Sequence, residues 1–567
     1  MSVKSIPNRW TIAPMDRVIA RELAEALDVP VIIGHLLHIR GICTPEEGDK
    51  FLYPRLSHLS DPFLLTDMDR AVERIARARD NDESILVFGD YDVDGISATS
   101  ILIHGLRRYG VARCSYGMPH RIQDGYGLNP EQVRTAKAEG VDLIITVDNG
   151  IAAHDAAQEA QAQGIDLIIT DHHTLDGELP PAYAVLNPKR EEESYAGADL
   201  CGAGVAFKLA MALNGTPNDL DIAALGTVAD VVPLQGENRC IVTLGLQHMA
   251  KHQRMGLSKL AAVSRLELNN ISSQNIGFQL GPRLNAAGRL DDGTLALRLL
   301  LNDCPQETAA IARSLDEANE ERRSIEREIM EQIVEELDAF IRPEQRGIVV
   351  ARRGWHPGVI GIVASRLQIR YGRPVVIIAI AEDGVGRGSA RAGSDFDMMA
   401  SFSNCREHLV KFGGHRAAAG MTIEEERVEG FRADFERDAL RQLGEGELSR
   451  QLDIDVLASF NEIDSTLLKA LERMEPVGHC NPAPVFSTFG AEIVPGSIKV
   501  LKDQHLKASF RQGEHVLSGI GFGMAERFYQ EPISGSVDLA YTPQFNEWRG
   551  ETTIQLLLKD IRPATQD

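Results

Sequence analysis

Asp90, Asp92 and Asp94 occupy alternate positions in the segment GDYDVDG at 89–95. So much negative charge beside a glycine is costly unless a cation neutralises it, and oxygen ligands of this kind suit hard divalent ions. D-x-D-x-D-G also opens a calcium-binding EF-hand loop, but the twelfth position, where that loop needs a bidentate Glu, falls on Ile101. Further along stand Asp148 in TVDNGI, then Asp171, His172 and His173 in succession, and Asp230 among the apolar residues of GTVADVVPL. Taken singly, Asp148 is more often a helix cap, and a histidine pair more often a surface or core feature. Jointly, these carboxylates and an imidazole make a site for two divalent cations ~3.5–4 Å apart, the arrangement that drives in-line displacement at phosphorus. The imidazole tilts preference from Mg2+ toward Mn2+. Because neighbouring side chains point apart, one of His172 and His173 is expected to ligate and the other to face substrate.

Elements must bring these residues together. Short apolar runs precede three of the acidic segments: ILVF at 85–88, LIITV at 143–147 and LIIT at 167–170. Their length and β-branched content predict buried parallel strands, and helical spacing follows the first two, so the pattern is that of a doubly wound α/β sheet. Ligands bind beyond the carboxyl ends of such strands, which places all three acidic loops on one rim. From Pro305, apolar residues at Ile311, Leu315, Ala318, Ile325, Ile329, Ile333 and Leu337 predict one helix of about 36 residues, ~54 Å long, ending before Pro343. With eleven acids and four arginines between 306 and 341, it reads as a solvated connector between two lobes.

After it the charge reverses. Seven arginines stand against the single acid Glu344 between 342 and 373, which predicts a local basic surface. A second α/β region follows to about 445, with the strand VVIIAIA at 375–381 and glycine-rich loops at 384–393 and 411–420. Ser389, Arg391, Gly413, Gly414, His415 and Arg416 in those loops suit phosphate oxygens, as do Arg283 and Arg289 in GPRLNAAGR at 281–289. Tight turns and salt bridges are the plain alternatives. Past 450 a two-residue alternation, as in HLKASFR at 505–511 and TTIQLLLKD at 552–560, predicts a small antiparallel barrel.

The 567 residues set a prior of about three or four domains. At 43% hydrophobic and 25% charged, the chain has the usage of a soluble globular protein, which excludes a disordered or fibrous one. Its longest apolar run, Val375 to Ala381, is far short of the ~20 residues that span a bilayer, and MSVKSIPNRW lacks an apolar signal core, so membrane and export readings drop out. Seven scattered cysteines contain no C-x-x-C pair and suit a reducing cytoplasm. The net charge of −23 repels polyanions, so a nucleic-acid reading needs local arginines or metals to offset it. No G-x-x-x-x-G-K-[ST] occurs, which argues against nucleotide-triphosphate use.

In order and separation, DYDVDG, TVDNG, DHH and GTVADVVPL resemble the four signature motifs of the DHH phosphoesterase superfamily, and GGHRAAAG is similar to the loop of its associated C-terminal lobe. With the long helix and terminal barrel, the chain from about 50 to 565 resembles that superfamily's bacterial single-strand-specific 5′→3′ DNA exonucleases of repair and recombination. The resemblance implies that Asp92, Asp94, Asp148, His172 and Asp230 hold two Mn2+ or Mg2+ ions, with Asp148 bridging. Asp148, Asp171 and His173 are then the residues of catalysis, His173 facing the scissile phosphate. Some members carry a histidine four residues before the second aspartate of the first motif; here that position is Phe88, so one ion is expected to have a thinner ligand set. By the same resemblance Arg121 and Tyr126 in PHRIQDGYGL, an arginine of GPRLNAAGR (Arg283 or Arg289), Ser389 and Arg391 hold the strand and its 5′ end. Gly413, Gly414 and His415 belong to the substrate-binding lobe.

The implied division is an N-terminal extension at 1–50, a DHH catalytic domain at 51–303, a connecting helix at 304–342, a DHHA1-like domain at 343–446 and an OB-fold barrel at 447–567. In the barrel Phe510, Tyr541 or Trp548 are candidates for base stacking. The implied partners are single-stranded DNA, single-strand-binding protein and a repair helicase, in the cytoplasm. Two other readings compete. A phosphodiesterase for short or cyclic oligonucleotides, or a pyrophosphatase, generally lacks a third domain, and a catalytically dead scaffold does not need a full ligand set.

Overall fold

The computed structural model describes residues 8–564 apart from 120–126, 176, 194, 196–198, 291–292, 343, 447–449, 531–532 and 549. Side chains at 287, 289, 290, 530 and 548 also fall outside the description, so Arg121, Tyr126 and the side chains of Arg289 and Trp548 are not among the described residues.

The chain opens with strand β1 (Asn8–Ile12) and helices α1 (Arg17–Leu27), α2 (Val31–Ile39) and α3 (Pro45–Leu52). An α/β unit follows. Its strands are β2 (Ile85–Gly89), β3 (Cys114–Gly117), β4 (Leu143–Val147), β5 (Asp166–Thr170) and β6 (Ala184–Leu186), in a parallel sheet of order β3-β2-β4-β5-β6. The β-branched runs that predict strands are these strands. Helices α4 (Met68–Asp80), α5 (Val93–Tyr109) and α8 (Gly202–Asn214) share the core on one face, and α6 (Pro130–Ala138) and α7 (His154–Gln163) cover the other. Helices α9 (Leu220–Ala229) and α10 (Gly236–His252) extend the first core. Winding reverses between β2 and β4, which opens a crevice at their carboxyl ends.

The long helix runs from Pro305 to Phe340, 36 residues as expected. It is more than a solvated connector, because its apolar stripe is buried along most of its length. Ile311, Ala312 and Leu315 join the core of the parallel-sheet unit, while Ile329, Ile333 and Leu337 join the core of the second lobe. At its waist the stripe turns polar, with Asn319, Arg322 and Glu326 all buried. The second lobe holds β7 (Ile348–Arg353), β8 (Val375–Ile380), β9 (Val385–Arg391), β10 (Leu409–Gly414) and β11 (Ala418–Glu424) in the order β10-β11-β9-β8-β7.

The basic surface expected between 342 and 373 is largely neutralised. Arg352, Arg366 and Arg370 pair with Glu336, Glu326 and Asp338 of the long helix, and Arg353 pairs with Glu425. Arg346 is buried and donates to the carbonyls of Glu344, Gly444, Glu445 and Gly446. Acids and arginines that look like separate blocks along the chain face one another in space.

After β12 (Arg450–Ile454), strands β13 (Val456–Leu457), β14 (Phe486–Ile493), β15 (Lys499–Leu501), β16 (His505–Gln512), β17 (His515–Gly521), β18 (Ser536–Trp548) and β19 (Glu551–Pro563) build the barrel. Their order is β13-β14-β18-β19-β17-β16-β15, and a β14–β16 pairing partly closes the ring. The barrel is not wholly antiparallel, since β13–β14 and β17–β19 pair in parallel. Phe510 and Tyr541 are fully buried inside it, which corrects the expectation that they stack on bases; Phe489, Phe522 and Tyr529 are exposed instead. Residues 8–52 pack with this unit: β1 pairs with β12, and Leu23, Ile33, Leu36, Leu37, Phe51 and Leu52 complete the barrel's core.

Arg239 of α10 fastens this C-terminal unit to the parallel-sheet unit. Its buried guanidinium lies 3.7 Å over the Phe51 ring and donates to the carbonyls of Phe51, Arg473, Met474, Glu475 and Pro476 at 2.7–3.3 Å. Removing one buried partner strands several carbonyls at once. Arg239→Met is therefore expected to cost ~3 kcal/mol or more and to let the N-terminal helices and barrel unfold before the parallel-sheet unit in a urea titration. An unchanged midpoint with a single transition contradicts this role.

Candidate metal centre

Gly89 pairs with Val147, and Val147 with Thr170, so Asp90, Asp148 and Asp171 leave the sheet at one level. Asp92 caps α5, its Oδ1 accepting from the amides of Asp94 and Gly95 at 2.9 and 3.1 Å. Asp94, in the first turn, accepts from the amides of Gly202 and Ala203 at the start of α8, at 2.7 and 2.8 Å. Both carboxylates thus sit at helix N-termini, where the dipole favours negative charge. Asp148 adopts the left-handed backbone conformation, φ +60°, which Asp tolerates better than most residues. Asn149 Nδ2 beside it donates to the carbonyls of Phe88 and Val147, tying the ends of β2 and β4.

Two glycines permit this density. A Cβ on Gly202 would lie 2.5 Å from Asp148 Cβ and 2.6 Å from its Oδ1, and a Cβ on Gly226 would lie 2.7 Å from Asp94 Oδ1.

His172 Nε2 stands 3.1 Å from Asp148 Oδ1 and 3.7 Å from both Asp94 Oδ2 and Asp230 Oδ2. Asp230 ends α9 as its C-cap and is partly exposed. Ligand atoms fall into overlapping groups, Asp94–His172–Asp230, Asp90–Asp92–Asp148 and Asp148–His172–His173, each within 4.8 Å. Asp148 takes part in two of them and approaches the imidazole of the third.

Burial, reinforced by the charge of Asp92, pushes the Asp94 carboxyl up to about 6. Burial and the repulsion of Asp94 and Asp92 drive Asp148 well above the carboxylate range, and burial with Asp94 pushes Asp230 up to about 7. Burial lowers His172, which keeps its imidazole neutral and its lone pair available. Alone, these acids repel one another; against divalent cations they ionise and become ligands. This donor set of buried oxygens around one neutral nitrogen fits Mn2+ or Mg2+.

His173 is built differently. Its Nδ1 lies 2.7 Å from Asp171 Oδ1, and Asp171 also accepts from the amides of Ile151, His172 and His173. Burial alone would lower the His173 imidazole, but the hydrogen bond and charge of Asp171 outweigh it and raise the pKa. The side chain is 45% exposed, so it stands at the open side of the cage.

Asp90 is a ligand candidate absent from the implied set. It is buried and clusters with Asp92 and Asp148. The signal for it is its place directly after β2, at the level where Asp148 and Asp171 also leave the sheet. Phe88 packs into the core below, near Gly117, and Asp90 enriches the side where a thinner ligand set was expected.

Farther away, Arg391 of β9 donates to Ser389 Oγ at 3.1 Å, and burial lowers its pKa; it makes no ion pair among the described residues. Gly413, Gly414 and His415 stand exposed at the end of the β10–β11 hairpin, and Gly420 of β11 pairs with Ser389. Arg283 is engaged in an ion pair with Asp316 of the long helix at 2.8 Å.

Three family models match: "DHH family, N-terminal domain" over 84–229, "DHHA1 domain" over 344–439 and "RecJ OB domain" over 454–560. The single-stranded-DNA-specific exonuclease RecJ of Bacillus subtilis (strain 168) is 36% identical over 556 residues, 97% of this chain and 70% of that protein. Among solved structures, RecJ from Thermus thermophilus in complex with Mn2+ aligns with TM-score 0.84 and 29% identity, covering 98% of this chain and 80% of that one. Its complex with Mg2+ aligns with TM-score 0.79 and 28% identity, covering 98% and 79%.

A carboxyl raised by folding keeps its proton to higher pH in the folded chain than in the unfolded one. Between 3.8 and about 7 the folded chain therefore binds the extra proton at Asp230, and stability falls as pH rises through that window. In EDTA, thermal unfolding of the wild type should show this decline and Asp230→Asn a shallower one. Mn2+ should restore the wild type at the upper end of the window. Equal slopes for the two proteins contradict the assignment.

Proposed function

This chain belongs to the RecJ family of single-stranded-DNA-specific exonucleases, and from that membership we propose that it removes nucleotides from the 5′ end of a single strand at the cage around His172. The observation that carries the reading is one neutral imidazole nitrogen within 3.7 Å of three buried or partly buried carboxylates at the sheet's crevice. Asp94, His172 and Asp230 are assigned to one ion, Asp90 and Asp92 to a second, and Asp148 to both. Bound there, Mn2+ or Mg2+ supplies the positive charge and Lewis acidity for in-line displacement at phosphorus.

The chain's own groups do the rest. His173, its raised pKa set by Asp171, holds a proton at the open side of the cage, where a leaving oxygen can take it. Asp171 is a positioning residue in this scheme, since it acts through His173 and three amides. Ser389 and Arg391 receive the terminal phosphate, with Arg391 a half-buried cation that makes no ion pair among the described residues. Gly413, Gly414 and His415 flank them on the neighbouring hairpin. Arg121, Tyr126 and Arg289 are assigned to the strand by family resemblance. Catalytic, DHHA1-like and OB-fold units at 51–303, 343–446 and 447–567 share the strand, with 8–50 grouped structurally with the last. Single-strand-binding protein and a repair helicase are the proposed partners, and DNA repair in the cytoplasm the setting.

With Mn2+, single-stranded DNA labelled at its 5′ end should release labelled mononucleotide at once, while duplex and EDTA controls stay intact. First release from the 3′ label overturns the polarity. Asp148→Ala is expected to abolish hydrolysis and leave DNA binding measurable. His173→Ala should lower kcat about 10²- to 10⁴-fold and remove the acidic-form limb of the pH profile. Undiminished turnover in either variant refutes its role.

A further inference from the structure

A groove of about 590 Å3 opens beside the metal cage, within the ~300–1,000 Å3 range of small-molecule sites. Its floor includes Val228 and Ala229, and Val231 lies next to them, so Asp230 sits between two lining residues. Three features here are locally costly or unusual. Val231 is β-branched yet held at φ +59°, a genuine outlier, and is 64% exposed. Phe278 is 81% exposed and belongs to the π-helical turn Ile276–Leu280, a distortion that frequently marks functional sites. Although the protein carries a net charge of −23, the lining contains Arg322 and His479 and, among the described residues, no carboxylate.

The groove is also firmly framed. Its far wall, the segment around 477–483, is pinned by Ser273 Oγ donating to Val477 O at 2.7 Å and Leu234 N donating to His479 O at 2.9 Å. On the cage side Asn285 lines it and accepts from Val93 N at 3.2 Å, beside Asp92 and Asp94. Across the gap, Ile362 from the second lobe follows Gly361, whose absent side chain leaves room for Ser389 and Arg391. The groove thus reaches from the residues flanking Asp230 to the neighbour of Gly361, beside Ser389 and Arg391. The bases of a strand lying there find apolar faces and, among the described residues, meet no acid.

We propose that this groove is a nucleobase subsite, in which Phe278 stacks on one base near the scissile phosphate while Val231 wedges against its edge, holding the strand unstacked at the cage. The proposal rests on the single-strand exonuclease reading above. Stacking of this kind is indifferent to base identity, because every base has a π-face, so the subsite grips without selecting sequence.

The test is single-turnover release of the first nucleotide from 5′-labelled oligonucleotides carrying one abasic residue at successive positions. In the wild type, an abasic residue at one or two positions should raise the half-saturating concentration about 5- to 150-fold, the ~1–3 kcal/mol of one base stack. Phe278→Ala should show the same rise on the intact strand, and the abasic penalty at those positions should vanish. Phe278→Trp should behave as wild type. An intact-strand value unchanged in Phe278→Ala, or an abasic penalty that persists in it, overturns the proposal. Because Phe278 is exposed, an unchanged thermal midpoint will show that the variant folds. A wild type that fails to digest any single strand refutes the exonuclease reading itself, which separates the two failures.

Discussion

Packing several carboxylates within a few ångströms of one imidazole, almost out of water, is the constraint on which the rest of this structure depends. Unpaired buried charges of like sign are among the most expensive arrangements a protein can hold. The fold answers with oriented amides. Asp92 is met by the start of α5, Asp94 by the start of α8, and Asp171 by three amides beyond β4 and β5. What amide dipoles leave uncompensated is visible in Asp94, Asp148 and Asp230, whose carboxyls are all raised. That residue of repulsion is the driving force for cation binding.

The parallel sheet delivers the acids, and the helices set their spacing. In-register pairing of Gly89, Val147 and Thr170 brings three loops to one level, and the reversal of winding between β2 and β4 opens the space they face. Gly202 and Gly226 let α8 and α9 close to within a few ångströms of the carboxylates. The long helix then carries one apolar stripe through two cores, so catalytic and second lobes are positioned by shared packing rather than by a free linker. Arg239 does the same for the barrel and the N-terminal helices, through five carbonyls.

Much of this is legible along the chain because it is local. Runs of β-branched residues ending in acids mark β2, β4 and β5, and 3.6-residue spacing marks the helix from Pro305 to Phe340. The readings that fail depend on tertiary pairing. Arg352, Arg366 and Arg370 read as a basic surface until the acids of the long helix are found opposite them. Phe510 and Tyr541 sit on strands whose two faces cannot be told apart by alternation alone, and both point inward. Asp90 opens the acidic segment whose spacing points to a cation, and strand register then sets it beside Asp148.

The central claim is that this cage holds two cations that share Asp148, and the direct measurement is electron paramagnetic resonance of the protein titrated with Mn2+. The account predicts saturation at two ions per chain with the exchange-coupled spectrum of a pair ~3.5–4 Å apart. Uncoupled signals at saturation, or a single ion per chain, contradict it.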